Sequence, residues 1–213
     1  MRPTAGSSMA ESEPEASDQP KAAVFFYDFY SPYSYLAAER VNAVMPVVPE
    51  WRPISFGHIL KQSGRRPWSF DQGDDHDAHW AEIDTRATDR GLPGLKRPAG
   101  WPIDSYSVIG ARAATFAKGS GRAVAYSLAL FRQIFAAGRT LDEATVLIAG
   151  AACELHPNAL LKGIESRSVK DELVQTTNAA YELGVRGVPT IAVDGELFWG
   201  DDRLEDAAAA ARD

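Results

Sequence analysis

The stretch from Phe26 to Ala37, FYDFYSPYSYLA, most constrains what this chain can fold into. Its aromatic first half suits a buried β-strand, which Ser31-Pro32 would end. Serine caps helices and proline is tolerated in a first helical turn, so we expect a helix to begin near Tyr33. The Ser31 hydroxyl would then lie beside unpaired backbone N–H groups, an arrangement that attracts anions. Taken alone, however, the stretch favours an ordinary structural cap over an anion site.

The charge pattern favours a small molecule as the partner of this protein. The chain has 213 residues, of which 45% are hydrophobic, and its formal net charge is −7. No run of Lys and Arg exceeds two residues, which argues against nucleic acid and anionic membranes as partners. No apolar stretch approaches the roughly 18 residues of a membrane span, so we expect no membrane association.

Residues 1–21 are rich in Ala, Ser, Glu and Pro and contain no apolar core of a secretory signal. We expect a disordered tail there, and a cytoplasmic location by default. Cys153 is the only cysteine, which excludes an intrachain disulfide and a Cys-x-x-Cys redox pair. It lies in the small apolar run AGAACEL, which favours a buried, inert thiol.

The order of predicted elements favours a mixed β-sheet interrupted by a helical block. Strands at the start enclose a helix as a βαβ unit, helices fill the middle, and a hairpin with an Asp194-Gly195 turn precedes a last helix. The predicted strands are Val24–Tyr30, Trp51–Phe56, Pro189–Val193 and Glu196–Trp199. The predicted helices are Tyr35–Val44, His76–Arg90, Ser105–Lys118, Arg122–Ala137, a helix from the Thr140–Glu143 segment to about Leu155, Asn158–Glu165, Val169–Leu183 and Arg203–Arg212. Three of them have predicted caps: Asp104 for the third, a Thr140–Glu143 capping box for the fifth and Ser168 for the seventh.

A second stretch, GVRGVPTIAVDGELFWGDDRL from Gly184 to Leu204, completes a family pattern. Together the two stretches resemble the 2-hydroxychromene-2-carboxylate isomerases and the kappa-class glutathione transferases. The resemblance covers residues 24–212 in element order, with specific matches at the two ends. It implies an α/β protein with a DsbA-like thioredoxin fold. The thioredoxin-like domain would comprise residues 22–60 and 168–213, with an inserted all-helical domain at residues 61–167.

The resemblance implies that the protein borrows a thiol. Ser31 and Ser34 occupy the positions where redox relatives carry their attacking and resolving cysteines. Hydroxyl groups cannot exchange disulfides, so a dithiol oxidoreductase is excluded. In the families that the chain resembles, the first serine hydrogen-bonds the sulfur of bound glutathione. Ser31 is therefore implied as the catalytic and thiol-binding residue, with glutathione or another low-molecular-weight thiol as cofactor.

Further thiol-binding residues are implied near the second stretch. Val188-Pro189 matches a cis-proline turn whose backbone pairs with glutathione, and Asp202 matches the residue that holds the γ-glutamyl ammonium. The alternative for Asp202 is a plain N-cap. Two residues depart from the pattern. Asp201 would place a second carboxylate near that of the ligand, where like charges repel, and Arg65 stands where an Asn is usual and could bind a ligand carboxylate.

Candidates for contact with an aromatic substrate are Tyr33, Trp101 and Tyr106, although aromatic residues are more often part of a core. The acidic segment from Asp71 to His79, DQGDDHDAH, lacks the spacing of a calcium loop or a zinc-binding helix. We therefore predict a solvated helix start there and no metal site.

The leading hypothesis is a thiol-dependent isomerase, in which a thiolate adds reversibly to a conjugated aromatic 2-oxo acid and lets a double bond rotate. A kappa-type glutathione transferase is the first alternative. A non-catalytic thioredoxin-like module that binds extended peptides is the second. The family resemblance also favours a homodimer.

Overall fold

A mixed four-stranded sheet forms the centre of the protein, for which a computed structural model describes residues 19–70, 74–103 and 107–212. The strands are β1 (Ala23–Tyr27), β2 (Glu50–Pro53), β3 (Thr190–Val193) and β4 (Glu196–Trp199), in the order β2-β1-β3-β4. β1 and β2 are parallel, whereas the β1–β3 and β3–β4 pairs are antiparallel. The predicted mixed sheet with its helical block is thereby confirmed.

The helices surround this sheet and fill the middle of the chain. Asp194 and Gly195 both have positive φ, as the predicted hairpin turn requires. No helix in the described ranges is long and apolar enough to cross a membrane. The helices are α1 (Pro32–Ala38), α2 (Val41–Val44), α3 (Phe56–Ser63), α4 (Asp74–Asp89), α5 (Ser107–Lys118), α6 (Ala123–Phe131), α7 (Glu143–Ala152), α8 (Pro157–Glu165), α9 (Arg167–Leu183) and α10 (Leu204–Ala210), with 3₁₀ turns at Trp68–Phe70 and Asp201–Arg203 and a π-helical turn at Arg132–Ala136.

Three predicted elements near the start of the chain are wrong in extent. The strand predicted over Val24–Tyr30 is β1, which ends at Tyr27. The helix predicted over Tyr35–Val44 is broken after Ala38, and α2 begins separately at Val41. The strand predicted to reach Phe56 ends at Pro53, because the backbone N–H of Phe56 donates a 2.7 Å hydrogen bond to Asp28 and opens α3 instead. Sequence reasoning did not predict α3.

Two predicted helix caps are also wrong. Asp142, not Thr140, caps α7, because its side chain accepts a 2.8 Å hydrogen bond from the backbone N–H of Thr145. Ser166, not Ser168, caps α9 in the same way. The predicted cap at Asp104 lies outside the described residues.

The aromatic run of β1 anchors the sheet to the helical block. Phe25 and Tyr27 are fully buried and stack with ring centroids 5.2 Å apart. Phe29, two residues after the end of β1, packs against Phe131 of α6 with ring centroids 4.7 Å apart. The Tyr27 hydroxyl shares a 2.6 Å hydrogen bond with Ser127, also of α6. One core therefore joins the sheet to the middle of the chain, while the division into residues 22–60, 61–167 and 168–213 stays a prediction.

Candidate functional site

A cavity of about 490 Å³ opens between the start of α1, the turn before β3 and the segment between α3 and α4. This volume lies in the range of small-molecule sites. Tyr106 lies outside the described residues. The cavity brings together every other predicted site residue, although their roles in ligand binding stay predictions. These residues are Ser31, Tyr33, Arg65, Trp101, Val188, Pro189, Asp201 and Asp202.

Ser31 lies between the first turn of α1 and the turn before β3. As predicted, it caps the helix, because its Oγ accepts a 3.1 Å hydrogen bond from the backbone N–H of Ser34. The same hydroxyl donates a long, 3.4 Å hydrogen bond to the carbonyl oxygen of Val188. As a cap, the Ser31 Oγ acts only as an acceptor. Its hydroxyl proton is therefore engaged only by the long contact to the Val188 carbonyl oxygen, which is weak.

The Val188–Pro189 bond is cis, as predicted, and the flanking residues hold the turn on both sides. The Pro189 carbonyl oxygen accepts a 3.0 Å hydrogen bond from the backbone N–H of Gly200. Gly187 packs so closely against Trp199 that an added Cβ would lie 2.2 Å from the indole ring. The turn therefore presents the Val188 backbone to the start of α1.

Asp201 is buried and ion-paired, which removes the repulsion expected from its sequence position. Its side chain is 1% exposed and accepts a 2.6 Å hydrogen bond from Arg86 and a further one from Arg90, both on α4. Two guanidinium groups thus neutralise this carboxylate before any ligand arrives.

Asp202 presents a more accessible carboxylate to the cavity. Its side chain is 54% exposed and its Oδ2 lies 3.5 Å from the Arg86 guanidinium. It is not the N-cap of α10, a position that Arg203 occupies, so the alternative of a plain N-cap is wrong. Asp202 therefore remains available to a ligand cation.

Two arginines of the segment between α3 and α4 line the cavity without a carboxylate partner among the described residues. The Arg65 guanidinium lies 4.9 Å from the centre of the Trp199 ring and donates a 2.9 Å hydrogen bond to the carbonyl oxygen of Arg186. Arg66 donates to the carbonyl oxygen of Phe70. Both cations are thus held in place by neutral groups.

The cavity also has an aromatic wall, formed by Tyr30, Trp68 and Trp101. The rings of Tyr30 and Trp101 stack 5.3 Å apart, and Trp68 packs 5.5 Å from Trp101. The Trp101 indole N–H donates a 3.2 Å hydrogen bond to the carbonyl oxygen of Tyr30, which fixes one ring against the other. Burial, more than the nearby Asp28, raises the pKa of Tyr30 to about 12, so its hydroxyl stays neutral near pH 7.

Tyr33 directs its polar end away to α4. Its hydroxyl donates a 3.1 Å hydrogen bond to Glu82 and lies 3.2 Å from Nδ1 of His79. The Arg86 guanidinium lies 5.5 Å from the centre of the Tyr33 ring. Burial, with Glu82 as a further cause, raises the pKa of Tyr33 well above its usual value. Tyr33 is therefore a neutral residue of the cavity wall.

Sequence reasoning missed Asp28, which holds the turn that carries Ser31. Its buried carboxylate accepts hydrogen bonds from the backbone N–H groups of Tyr30 (2.9 Å) and Phe56 (2.7 Å). Its carbonyl oxygen accepts another from the Ser31 backbone, at 3.1 Å. The sequence does contain a signal for Asp28, namely a single acidic residue inside an aromatic run. A carboxylate at such a buried position needs hydrogen-bond partners, which predicts a structural role.

In the described part of the segment from Asp71 to His79, both histidines pack against tryptophans. His79 stacks on Trp68 with centroids 4.5 Å apart, and His76 packs between Trp68 and Trp101. Across the described residues, no three potential metal ligands gather at one place.

The sheet, the cis turn and the capped helix beside them define a protein with a DsbA-like thioredoxin fold, in which Ser31 and Ser34 lie at the start of that helix. The chain belongs to the family of the DSBA-like thioredoxin domain, whose model matches residues 23–211.

Known proteins agree with the resemblance seen in the sequence. The chain is 28% identical over 190 residues to a 2-hydroxychromene-2-carboxylate isomerase of Sphingobium xenophagum, covering 85% of this chain and 93% of that protein. It is 27% identical over 213 residues to glutathione S-transferase kappa 1 of Homo sapiens, covering 87% and 88%. A solved structure of a 2-hydroxychromene-2-carboxylate isomerase superposes with a TM-score of 0.80 at 24% identity, covering 89% of this chain and 93% of that one, and it supports the shared fold.

Proposed function

We propose that this protein is a glutathione-dependent isomerase that acts on a conjugated aromatic 2-oxo acid of the 2-hydroxychromene-2-carboxylate type. The observation that carries the proposal is the position of the Ser31 hydroxyl, on the cavity wall between the Ser34 backbone N–H and the Val188 carbonyl oxygen. The similarity to a named isomerase over 85% of the chain supports it.

The groups of the cavity match the groups of glutathione. The Ser31 proton makes only a 3.4 Å contact, so it can turn to a sulfur with little loss. The exposed Asp202 carboxylate suits the γ-glutamyl ammonium, and the Arg65 guanidinium suits a carboxylate. The backbone of Val188 is presented at the cis turn for pairing with a peptide.

Bound glutathione would supply the nucleophilic sulfur that the chain lacks, in a form that adds reversibly to a conjugated double bond. The residues of the chain prepare the site for this chemistry. The Ser31 hydroxyl stabilises a thiolate by donating a hydrogen bond to it. The rings of Tyr30 and Trp68 provide an apolar surface that orients an aromatic substrate and excludes water.

The test is ligand-induced stabilisation followed by a matched pair of serine variants. We expect glutathione to raise the Tm of the wild type, and Ser31→Ala to remove most of this shift together with the isomerase activity. Ser34→Ala is the control, because the buried Ser34 Oγ has no hydrogen-bond partner in the described part of the chain. No stabilisation by any low-molecular-weight thiol, or equal effects of the two variants, would contradict the proposal.

A second candidate function is glutathione transfer, which the similarity to glutathione S-transferase kappa 1 favours. The same site would then release a product that keeps the sulfur. Mass spectrometry of the product distinguishes the two reactions, because an isomer has the mass of the substrate and a conjugate is heavier by one glutathione. Stabilisation by extended peptides in the absence of any thiol would instead support the non-catalytic binding module.

A further inference from the structure

The cavity is a locally cationic site in an acidic protein. Three arginines and two aspartates line it, although the whole chain carries a net charge of −7. Arg86 is already engaged by carboxylates, because it lies 2.6 Å from Asp201 and 3.5 Å from Asp202 and also pairs with Glu82. The two remaining cations belong to the segment between α3 and α4. A ligand that brings more than one negative charge would complement this site.

The first of these cations, Arg65, belongs to the wall that the cis turn forms. It lies over Trp199, whose ring packs on Gly187, next to the Val188–Pro189 bond. Its guanidinium also donates to the carbonyl oxygen of Arg186. Arg65 is therefore positioned for a carboxylate of the thiol ligand.

The second cation, Arg66, belongs to the aromatic wall. It donates to the carbonyl oxygen of Phe70, the last residue of the 3₁₀ turn that begins at Trp68. The Phe70 ring stacks 6.5 Å from Tyr30, which in turn stacks on Trp101. A guanidinium has five N–H donors, and one suffices for the Phe70 carbonyl, so the others remain for a ligand.

We propose that Arg66 is a specificity-determining residue that binds the carboxylate of the aromatic substrate while the substrate ring lies against Tyr30 and Trp68. This inference rests on the proposed function and deepens it. The guanidinium fork matches the two oxygens of a carboxylate, and an aromatic acid brings both the ring and the charge that this wall offers. The cavity therefore distinguishes an aromatic 2-oxo acid from a neutral ketone of the same shape.

A pair of probes tests this directly by binding, without turnover. 4-Phenyl-2-oxobut-3-enoate carries the carboxylate, whereas in 4-phenylbut-3-en-2-one a methyl group replaces it. In calorimetric titrations without thiol, we expect Arg66→Gln to weaken binding of the acid about tenfold or more and that of the ketone less than about twofold. Glutamine removes the charge but keeps a polar side chain with N–H donors at this exposed position, so we expect the local fold to be preserved.

Arg65→Gln is the matched variant from the same segment. We expect it to weaken glutathione binding and to leave the affinity for the acid within about twofold of the wild type. In kinetic assays with glutathione, Arg66→Gln should lower the ratio of kcat/KM for acid over ketone about tenfold or more. An acid that fails to bind the wild type, or an Arg66→Gln variant that loses acid and ketone equally or neither of them, would overturn the inference.

The outcomes separate the inference from the proposed function. If glutathione binding and activity depend on Ser31 but Arg66→Gln keeps the preference for the acid, only the role of Arg66 is overturned. Selective loss of the acid in Arg66→Gln, in a protein that binds no thiol, would support the aromatic-acid subsite and contradict the thiol-dependent isomerase.

Discussion

Arg86 and Asp201 lie 115 residues apart in the sequence and are joined by a 2.6 Å hydrogen bond that ties α4 to the turn before α10. The carboxylate is almost fully buried and has a second cationic partner in Arg90. The ion pair closes one side of the cavity and also leaves Asp202 as the accessible acid beside it. The Asp201 carboxylate therefore fastens α4 to this turn, and Asp202 is the one that we propose for the ligand ammonium.

We expect Asp201→Asn to lower the free energy of unfolding by about 2 kcal/mol. The amide keeps the shape of the side chain but takes the carboxylate partner from Arg90, whereas Arg86 keeps Glu82 and Asp202. Both arginines are partly exposed, so the loss should stay below the roughly 3–5 kcal/mol seen when a fully buried pair is broken. Urea-induced unfolding measures the change.

Asp202→Asn is the natural counterpart. Its exposed side chain should contribute less than about 0.5 kcal/mol to stability, whereas the loss of its charge should weaken glutathione binding severalfold. If Asp202→Asn proved the more destabilising variant, the roles assigned to the two aspartates would be wrong.

Asp28 should make the stability of the protein depend on pH. Its burial raises the pKa of its carboxyl above the usual 3.8, although hydrogen bonds from Tyr30 and Phe56 oppose this rise. The native state therefore binds the proton more tightly than the unfolded chain, and stability is lost as the pH rises through the raised pKa. Asp28→Asn lacks this titration, so the stability of the wild type minus that of the variant should decrease as the pH rises from about 3.8 upward. Urea unfolding of both proteins over this range is the measurement, and an increasing difference would contradict it.

Cys153→Ala should leave thiol-dependent activity unchanged. Cys153 is buried at the end of α7, and burial raises the pKa of its thiol, although Arg122 acts in the opposite direction. The residue is neither part of the cavity wall nor a ready nucleophile. Steady-state assays with added glutathione check this, and loss of activity in a folded variant would show that a protein thiol participates.

Two glycines offer a comparison between binding and stability. At Gly187, an added methyl group would collide with the Trp199 ring, which is half-exposed and can swing away. Gly187→Ala should therefore cost little stability, but it should weaken glutathione binding severalfold because Trp199 supports Arg65. Thermal unfolding and calorimetric titration test the two parts.

Gly163→Ala should show the opposite behaviour. Its added Cβ would lie 2.1 Å from the Phe116 ring in the contact between α5 and α8, away from the cavity. Overpacking of this kind costs about 1–3 kcal/mol. The glutathione affinity of the folded protein should not change. A loss of affinity without a loss of stability would contradict a purely structural role for Gly163.

Local signals in the sequence predicted the parts of the site that depend on neighbouring residues. A Ser-Pro pair after an aromatic run sufficed for the cap at Ser31, because the cap bonds to an N–H only three residues away. The Asp194-Gly195 hairpin is likewise encoded within a few residues, whereas the cis bond at Val188-Pro189 was implied by the family resemblance and not by its neighbours alone.

Other features depend on packing that local patterns do not contain. Thr140 and Asp142 are both of a residue type that caps helices, so the sequence near them does not decide which one caps α7. In the structure Leu141 is buried and Asp142 is the cap. From the sequence, Asp201 was expected to repel the carboxylate of the ligand. Its cationic partners, which neutralise it, lie on α4, more than 100 residues earlier in the chain. Long-range pairing of this kind cannot be inferred from the sequence near either partner.

The charge arrangement at Asp201 has a consequence for the history of this chain. A carboxylate is tolerated at this buried position because guanidinium groups reach it from positions 86 and 90. Loss of both guanidinium groups would leave this buried carboxylate without a counter-charge, so we expect a carboxylate at position 201 only where a cation stands at position 86 or 90. In related chains, we therefore expect the residue types at these three positions to vary together.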